Sequence, residues 1–118
     1  MTEAAQQVLR YYECIDTGDI SGILSLFASN ATYARPGYPE CAGRAQIEHF
    51  YREERIISKG THTIDSVVTS GCEVAVRGKF NGLLSDGRQV TLRFADFFVL
   101  TPEMTFVHRE TFFFTPLV

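Results

Sequence analysis

An acid lies in the middle of an apolar row in residues 90–100, V-T-L-R-F-A-D-F-F-V-L. The segment alternates as a β-strand does. One face of that strand then carries Val90, Leu92, Phe94, Asp96, Phe98 and Leu100. A carboxylate in such a row must stay hydrated, find a partner or keep its proton. Asp96 is therefore a candidate for proton transfer, and the alternative is a structural carboxylate satisfied by a helix end, a turn or a salt bridge.

The last predicted strand, residues 104–115, offers a histidine and a second acid. Alternation puts five residues on one face, namely Phe106, His108, Glu110, Phe112 and Phe114. The opposite face has Val107, Arg109, Thr111 and Phe113. We expect the face richer in phenylalanine to line a cavity, so that Glu110 handles protons while His108 and Phe112 contact the substrate. A β-bulge in this strand would exchange the two faces.

The remaining candidates are dispersed along the chain. Tyr11 lies on the apolar stripe of the first predicted helix, as a hydrogen-bond donor or as a structural tyrosine. Arg35 ends the first strand, where it either points to solvent or faces the cavity. Inside the cavity its guanidinium would suit a carboxylate or an enolate, and it would keep a neighbouring Asp96 ionised. The other expected substrate contacts are Tyr33, Phe50, His62, Arg77, Phe94 and Phe98.

Length and composition exclude several classes of protein. The 118 residues allow one domain, residues 1–118, and the net charge of −3 with dispersed basic residues argues against nucleic-acid binding. There is no apolar run of about 20 residues to span a membrane and no signal-peptide pattern, so we expect a cytoplasmic protein. The three cysteines and three histidines lack metal-ligand spacing, and no phosphate-binding glycine loop occurs. We therefore expect no metal and no cofactor.

Helices followed by strands predict an α+β domain. The helices are predicted over residues 2–17, 20–27 and 43–55, with Thr2 capping the first and Gly18 ending it. The strands are predicted over residues 30–35, 61–69, 72–84, 88–100 and 104–115, with Pro116 closing the last. Short turns between the four later strands indicate an antiparallel meander. Strong curvature, with three helices packed on the concave side, would make a cone-shaped half-barrel.

Sequence motifs of the chain resemble those of the nuclear transport factor 2-like superfamily, which includes ketosteroid isomerases, SnoaL-like polyketide cyclases and limonene epoxide hydrolases. The matching motifs are L-R-Y-Y-E-C-I-D-T-G-D-I-S-G-I-L-S-L-F-A-S-N-A-T-Y over residues 9–33 and the helix start G-R-A-Q-I over residues 43–47. The resemblance covers nearly the whole chain. It implies the cone fold, but not one reaction, because this scaffold carries many chemistries.

The ketosteroid isomerases imply roles for three positions. Their oxyanion-binding tyrosine matches Tyr11, and their protonated oxyanion-binding aspartate matches Asp96. Their general base matches Arg35, which cannot accept a proton at neutral pH, so their proton shuttle is not expected here. The Arg-x-Asp pair of the epoxide hydrolases is matched only by R-G-K at residues 77–79, and their last-strand aspartate by Glu110. The SnoaL-like cyclases require the fewest specific residues, so the chain fits them best by default.

These observations predict a small-molecule-binding protein, a cofactor-free isomerase or cyclase that acts on an apolar cyclic or aromatic substrate. Asp96 and Glu110 would handle protons. Tyr11 would stabilise an enolate oxygen and Arg35 would neutralise developing charge. The alternative is a non-catalytic ligand-binding or protein-interaction module of the same fold. An apolar patch around Phe97, on the outer face of residues 90–100, predicts a homodimer through the sheet.

Overall fold

The computed structural model describes residues 1–115 and contains every predicted helix and strand. The helices are α1 (Glu3–Thr17), α2 (Ile20–Leu26) and α3 (Arg44–His49), which continues into a π-helical turn at Phe50–Glu54. The strands are β1 (Phe27–Ala34), β2 (Cys41–Ala42), β3 (Ile57–Ser70), β4 (Glu73–Leu84), β5 (Gln89–Leu100) and β6 (Phe106–Phe114). The two-residue strand β2 and the π-helical turn were not predicted. Pro116 lies outside the described residues.

The helical hairpin α1–α2 forms for local reasons that the sequence displays. The Thr2 hydroxyl accepts a hydrogen bond from the Ala5 amide at the start of α1. Gly18 ends α1 with φ 73°, a left-handed conformation that glycine adopts without a steric penalty. The Asp19 carboxylate then accepts from the Gly22 amide and starts α2. This hairpin lets α1 pack across β3 and β4.

The six strands form one open sheet in the order β2-β1-β6-β5-β4-β3. Neighbouring strands are antiparallel except β1 and β6, which run parallel with Tyr33 opposite Arg109. The α+β cone is therefore confirmed, and the four later strands form the predicted antiparallel meander within a mixed sheet. The parallel pair arises because β1 precedes the meander in the chain and joins the sheet beside its last strand.

The inner face of β5 is the one that alternation predicts. Phe94, Asp96, Phe98 and Leu100 are all buried on it, and they pack beneath α1. Tyr11 and Tyr12 are adjacent in α1, and adjacent helical residues point apart. Both are buried, since the Tyr11 ring packs against Phe98 while the Tyr12 ring packs against Phe94. The curved sheet wraps around both sides of the helix.

The inner face of β6 is not the predicted one. Leu100 pairs with Phe106 and Val99 pairs with His108, which leaves Val107 as an extra residue in β6. This β-bulge reverses the alternation after Phe106. The residues that turn inward are Arg109, Thr111 and Phe113. His108, Glu110 and Phe112 consequently lie on the outer face of the sheet, and their placement in the cavity was wrong.

Candidate functional site

A cavity of about 30 Å³ lies between α1, the π-helical turn and the inner face of the sheet. A water molecule needs at least about 10–15 Å³ by this measure, so the cavity holds one or two waters or one small functional group. Pockets that enclose whole drug-sized ligands reach about 300–1,000 Å³. The polar residues that line the cavity are Tyr11, Tyr33, Arg35, Tyr51, Arg55, His62, Asp96, Arg109 and Thr111.

The floor of the cavity is a buried ion pair between Asp96 on β5 and Arg109 on β6. Arg109 Nη2 donates to Asp96 Oδ2 at 2.9 Å, and the hydroxyls of Tyr12 and Thr111 also donate to this carboxylate. A carboxyl group with three donors around it acts as an acceptor only, which is the ionised form. Burial by itself would lower the pKa of Arg109, but the charge of Asp96 raises it, and the net result is a raised pKa.

Two tyrosines share the other side of Arg109. Its Nη1 donates to the Tyr11 hydroxyl at 2.6 Å and to the Tyr51 hydroxyl at 3.2 Å, and the two hydroxyl oxygens are 2.5 Å apart. Burial raises the pKa of Tyr51 to about 12 and the pKa of Tyr11 well above its usual value, so both keep their protons near neutral pH. One of the two hydroxyl groups donates its hydrogen to the other oxygen. The hydrogen of the second hydroxyl group can then be donated to an oxygen of a ligand.

Aromatic rings hold the Arg109 guanidinium in place. Its central carbon lies 4.5 Å from the ring centroids of both Tyr11 and Tyr33, which is within the range of a cation–π contact. Because Arg109 is also tied to Asp96, the guanidinium cannot easily turn away from the tyrosine pair. The arrangement is a fixed positive charge behind a hydroxyl donor, which suits an oxygen that gains negative charge.

A histidine–carboxylate pair forms a second polar group. Asp16 follows Tyr12 by one helical turn, and its carboxylate accepts from the His62 amide at 2.9 Å and from His62 Nδ1 at 2.6 Å. Burial lowers the pKa of His62 and outweighs the opposing hydrogen bond and charge of Asp16. The imidazole is therefore neutral at pH 7 with its proton on Nδ1. Its Nε2 has no hydrogen-bond partner within residues 1–115 and is the basic nitrogen.

Arg35 lies at the cavity wall but does not contact Asp96. Its guanidinium carbon is 5.2–5.5 Å from the ring centroids of Tyr38, Phe50 and Phe113. Of the two expected placements, solvent or cavity, the structure has the second, because Arg35 lines the cavity, but the expected pairing with Asp96 does not occur. The partner of Asp96 is Arg109, and Arg35 lies half-buried against three rings.

The structure brings together some of the predicted site residues and separates others. Those that line the cavity are Tyr11, Tyr33, Arg35, His62, Phe94 and Asp96. Phe50 and Phe98 are buried behind this lining. Arg77 is exposed on the outer face of β4, because it alternates with the buried residues Val76 and Gly78. With His108, Glu110 and Phe112 also outside, four of the predicted contacts cannot reach the cavity.

Six polar residues of the site were missed, namely Tyr12, Asp16, Tyr51, Arg55, Arg109 and Thr111. Asp16 could have been identified from the sequence, because it follows Tyr12 by four residues and such a spacing puts both side chains on one face of α1. Arg109 and Thr111 were assigned to the wrong face of β6. Phe50 and Tyr51 follow Ile47 by three and four residues, so the helical period places all three on one face, and all three are buried. No role in the site was assigned to Tyr51.

The described residues supply few other reactive groups. Within residues 1–115, no three His, Cys, Asp or Glu side chains lie close enough together to hold a metal ion. Burial raises the pKa of the Cys14 and Cys41 thiols, which disfavours the reactive thiolate. None of the helices in this part of the chain is both long and apolar enough to cross a membrane.

Solved structures share this fold over almost the whole chain. An NTF2-like protein of unknown function from Burkholderia pseudomallei K96243 superposes with a TM-score of 0.87 at 22% identity, covering 97% of this chain and 92% of that one. SalBIII, an epoxide hydrolase/cyclase-like enzyme in pyran ring formation in the polyether salinomycin, gives 0.84 at 21% identity over 96% and 92%. TerC, co-crystallised with polyporic acid, gives 0.83 at 20% identity over 96% and 92%.

At these identities the structural neighbours establish the fold alone. The sequence itself matches one family over most of its length. The match runs over residues 8–104 and includes α1, the π-helical turn, β5 and therefore most of the cavity lining. The chain belongs to the SnoaL-like domain family of the NTF2-like superfamily.

Proposed function

We propose that this chain is a cofactor-free isomerase or cyclase that moves protons on a small cyclic or aromatic carbonyl compound. The observation that carries the proposal is the lining of one cavity. It includes a neutral histidine with a free basic nitrogen and a tyrosine pair with one spare hydroxyl hydrogen next to a fixed guanidinium. A base and an oxyanion-binding group are the two parts that enolisation requires.

The reaction follows from the placement of these groups. His62 Nε2 takes a proton from the carbon next to the carbonyl group, and the C–H electron pair forms an enolate. The negative charge on the enolate oxygen is stabilised by the hydroxyl of the Tyr11–Tyr51 pair and by Arg109 behind it. The Asp16 carboxylate stabilises the imidazolium through Nδ1. His62 then returns the proton to another carbon. In a cyclase, the enolate carbon instead attacks a second carbonyl carbon of the same substrate, the π electrons of that C=O bond move to its oxygen, and this oxygen takes the proton from His62.

The roles of Asp96 and Glu110 change accordingly. Asp96 was expected to transfer protons, but its carboxylate is occupied by three donors from protein side chains. It positions Arg109 and maintains its charge. Glu110 lies on the outer face of the sheet and is not part of the proposed chemistry. Tyr11 keeps the oxyanion-binding role that was expected of it, now shared with Tyr51.

The size of the cavity limits how a substrate binds. About 30 Å³ accommodates a carbonyl group but not a ring. The ring would lie at the apolar part of the wall, against Ile57, Leu92 and Phe113. Small cyclic compounds are compatible with this fold, since TerC was crystallised with polyporic acid and SalBIII acts in pyran ring formation.

Hydrogen exchange on a model ketone tests the reaction class without the natural substrate. We expect the protein to accelerate exchange of the acidic C–H hydrogens of 2-tetralone in D₂O, followed by proton NMR. The variant His62→Gln should lose about 10²–10⁴-fold of this rate, the usual contribution of a general base. His49→Gln is the matched control, because His49 is an exposed histidine near Glu54. Exchange at the background rate with the wild-type protein would contradict the proposal.

A non-catalytic binding module is the second candidate, and the small cavity is the observation that favours it. Such a module binds a ligand without moving its protons. It would bind 2-tetralone or its enol mimic 2-naphthol without any acceleration of exchange. Binding together with His62-dependent exchange identifies the enzyme.

A further inference from the structure

The cavity has an excess of positive charge that the protonation chemistry does not use. Three arginines line it, Arg35, Arg55 and Arg109, whereas Asp96 is the only carboxylate among the described residues of its lining. Asp96 is paired with Arg109. Two positive charges therefore remain at the cavity wall of a chain whose net charge is −3.

Arg35 has no anionic partner among residues 1–115. It has no salt bridge or hydrogen bond within residues 1–115, and its Nε is buried without an acceptor. An unsatisfied buried donor costs about 1–3 kcal/mol, and more when it is charged. The rings of Tyr38, Phe50 and Phe113 fix the orientation of the guanidinium and keep water from one side of it. A guanidinium that is held in place and partly shielded from water binds an anion more strongly than a fully hydrated one.

Arg55 adds a second charge on the same wall. Its amide donates to the Phe50 carbonyl at 2.8 Å, which closes the π-helical turn. Its charge also acts on Tyr51, although burial is the larger influence on the pKa of that tyrosine. No acidic side chain pairs with Arg55 within the described residues. The two free arginines and the tyrosine pair thus line the same small space.

We propose that the substrate carries a carboxylate group, which the half-buried Arg35 and Arg55 bind at the cavity wall while only the carbonyl group of the substrate enters the cavity and reaches the Tyr11–Tyr51 pair. The substrate class is then a small cyclic or aromatic oxo-acid. This inference rests on the proposed function for the role of the carbonyl group. The planar guanidinium of Arg35 matches the two oxygens of a carboxylate, and Arg55 adds a second positive charge near the single negative charge that those oxygens share.

The experiment compares two ligands of the same shape and different charge. Titrations of the protein with 2-naphthoate and with the neutral 2-naphthamide, followed by NMR at low salt, give two dissociation constants. We expect the naphthoate to bind at least tenfold more tightly, and this advantage should shrink as salt is added. Equal affinities, or no naphthoate binding at millimolar concentration, would overturn the proposal without any variant.

Variants assign the preference to the arginines. Arg35→Gln should reduce naphthoate affinity about tenfold and leave naphthamide affinity within twofold. Arg35→Lys should have an intermediate effect on naphthoate affinity, because lysine keeps the positive charge but lacks the planar guanidinium that donates two parallel hydrogen bonds. Arg55→Gln should have a smaller effect in the same direction. Arg10→Gln, which removes an exposed arginine on α1 that is bonded to Gln7, should change neither ligand. A naphthoate preference that survives in Arg35→Gln would overturn the assignment.

The two proposals fail separately. His62→Gln should leave naphthoate binding within twofold, because His62 acts on protons and not on the carboxylate. Arg35-dependent naphthoate binding without any exchange on 2-tetralone or on its carboxylated analogues would reject the enzyme but retain the anion site. Exchange on 2-tetralone with no preference for naphthoate would retain the enzyme and reject the oxo-acid.

Discussion

Arg109 Nη2 lies 2.9 Å from Asp96 Oδ2, and this ion pair joins β6 to β5 at the floor of the cavity. The side chains are only 5% and 1% exposed, so both charges have lost nearly all of their hydration. A buried pair of this kind often contributes little net stability, because its Coulomb attraction barely offsets desolvation. Its consequence here is positional, since it holds the guanidinium against Tyr11 and Tyr51.

Removing one member of this pair should destabilise the protein strongly. Asp96→Leu or Arg109→Met leaves the other charge buried and unpaired, so we expect a loss of about 3–5 kcal/mol in the free energy of unfolding. The double variant Asp96→Leu/Arg109→Met should lose much less than the sum of the two. Urea denaturation of the four proteins measures this coupling. Additive losses would show that the two side chains do not act as a pair.

Protonation of His62 should make stability depend on pH. The folded state lowers the pKa of His62 below its ordinary 6.5, chiefly by burial, whereas the unfolded chain keeps the ordinary value. The unfolded state therefore binds the proton more tightly. The stability that the neutral imidazole confers is complete above about pH 6.5 and is lost as the pH falls from there toward the folded-state pKa.

The measurement is the difference in unfolding free energy between wild type and His62→Gln from pH 5 to 8. The wild-type advantage should be constant near pH 8 and should shrink on acidification. A difference that grows at low pH would mean that Asp16 raises the pKa of His62 more than burial lowers it.

The sequence predicted the elements and the inner face of β5 because both depend on local patterns. The alternation around Asp96 needs only the two-residue period of a strand, and the caps Thr2 and Gly18 act on their own helix. The face of β6 depends instead on its pairing with β5. The extra residue Val107 is defined by that pairing, and no residue type in the strand indicates a bulge at this position.

The partner of Asp96 could not be predicted for the same reason. Reversing the face of β6 replaces Glu110 by Arg109 in the cavity and changes the expected pair of acids into an ion pair. The helical period places Tyr51 on the buried face of its helix, but its contacts with Tyr11 and Arg109 are made between elements far apart in the chain. The sequence therefore predicted that Asp96 faces a cavity, but the chemistry of the cavity depends on the bulge in β6 and on contacts between distant elements.

Tyr51→Phe tests the hydroxyl pair in the oxyanion-binding role. Without the Tyr51 oxygen, the Tyr11 hydroxyl loses its neighbour and Arg109 Nη1 loses one of its two acceptors. We expect exchange on 2-tetralone to fall about 10²–10³-fold, the usual effect of removing one oxyanion donor. Tyr38→Phe is the control, because the Tyr38 hydroxyl makes only a long 3.4 Å bond to the Glu54 carbonyl. Equal rates in both variants would exclude the role of Tyr51.

Gly78→Ala should disturb the sheet directly behind the site. A methyl group at Gly78 would lie 2.4 Å from the Thr63 carbonyl oxygen of β3 and 3.0 Å from the Phe94 ring. The carbonyl oxygen belongs to the backbone of a paired strand and cannot move aside easily. Overpacking of this kind typically costs about 1–3 kcal/mol, which urea denaturation would detect. Unchanged stability would show that β3 and β4 can separate at this point.

The outer face of the sheet supports the predicted homodimer. Phe97 and Phe112 are 47% and 49% exposed and pack edge to face at 5.7 Å, and Phe114 beside them is 71% exposed. Rings as exposed as these form a patch that a second copy of the chain would cover. We expect sedimentation velocity to show a dimer at micromolar concentration.

Phe97→Lys should convert that dimer to a monomer, because it places a charge in the middle of the covered patch. Ile56→Lys is the matched control, since Ile56 is 51% exposed but lies outside the patch, and it should remain dimeric. Glu110 is opposite Phe97 in the β5–β6 pairing and so belongs to the same face. If the dimer forms there, Glu110 has a place at a subunit interface, which accounts for an acid that the cavity does not use. A wild-type monomer would reject this arrangement and leave the patch exposed.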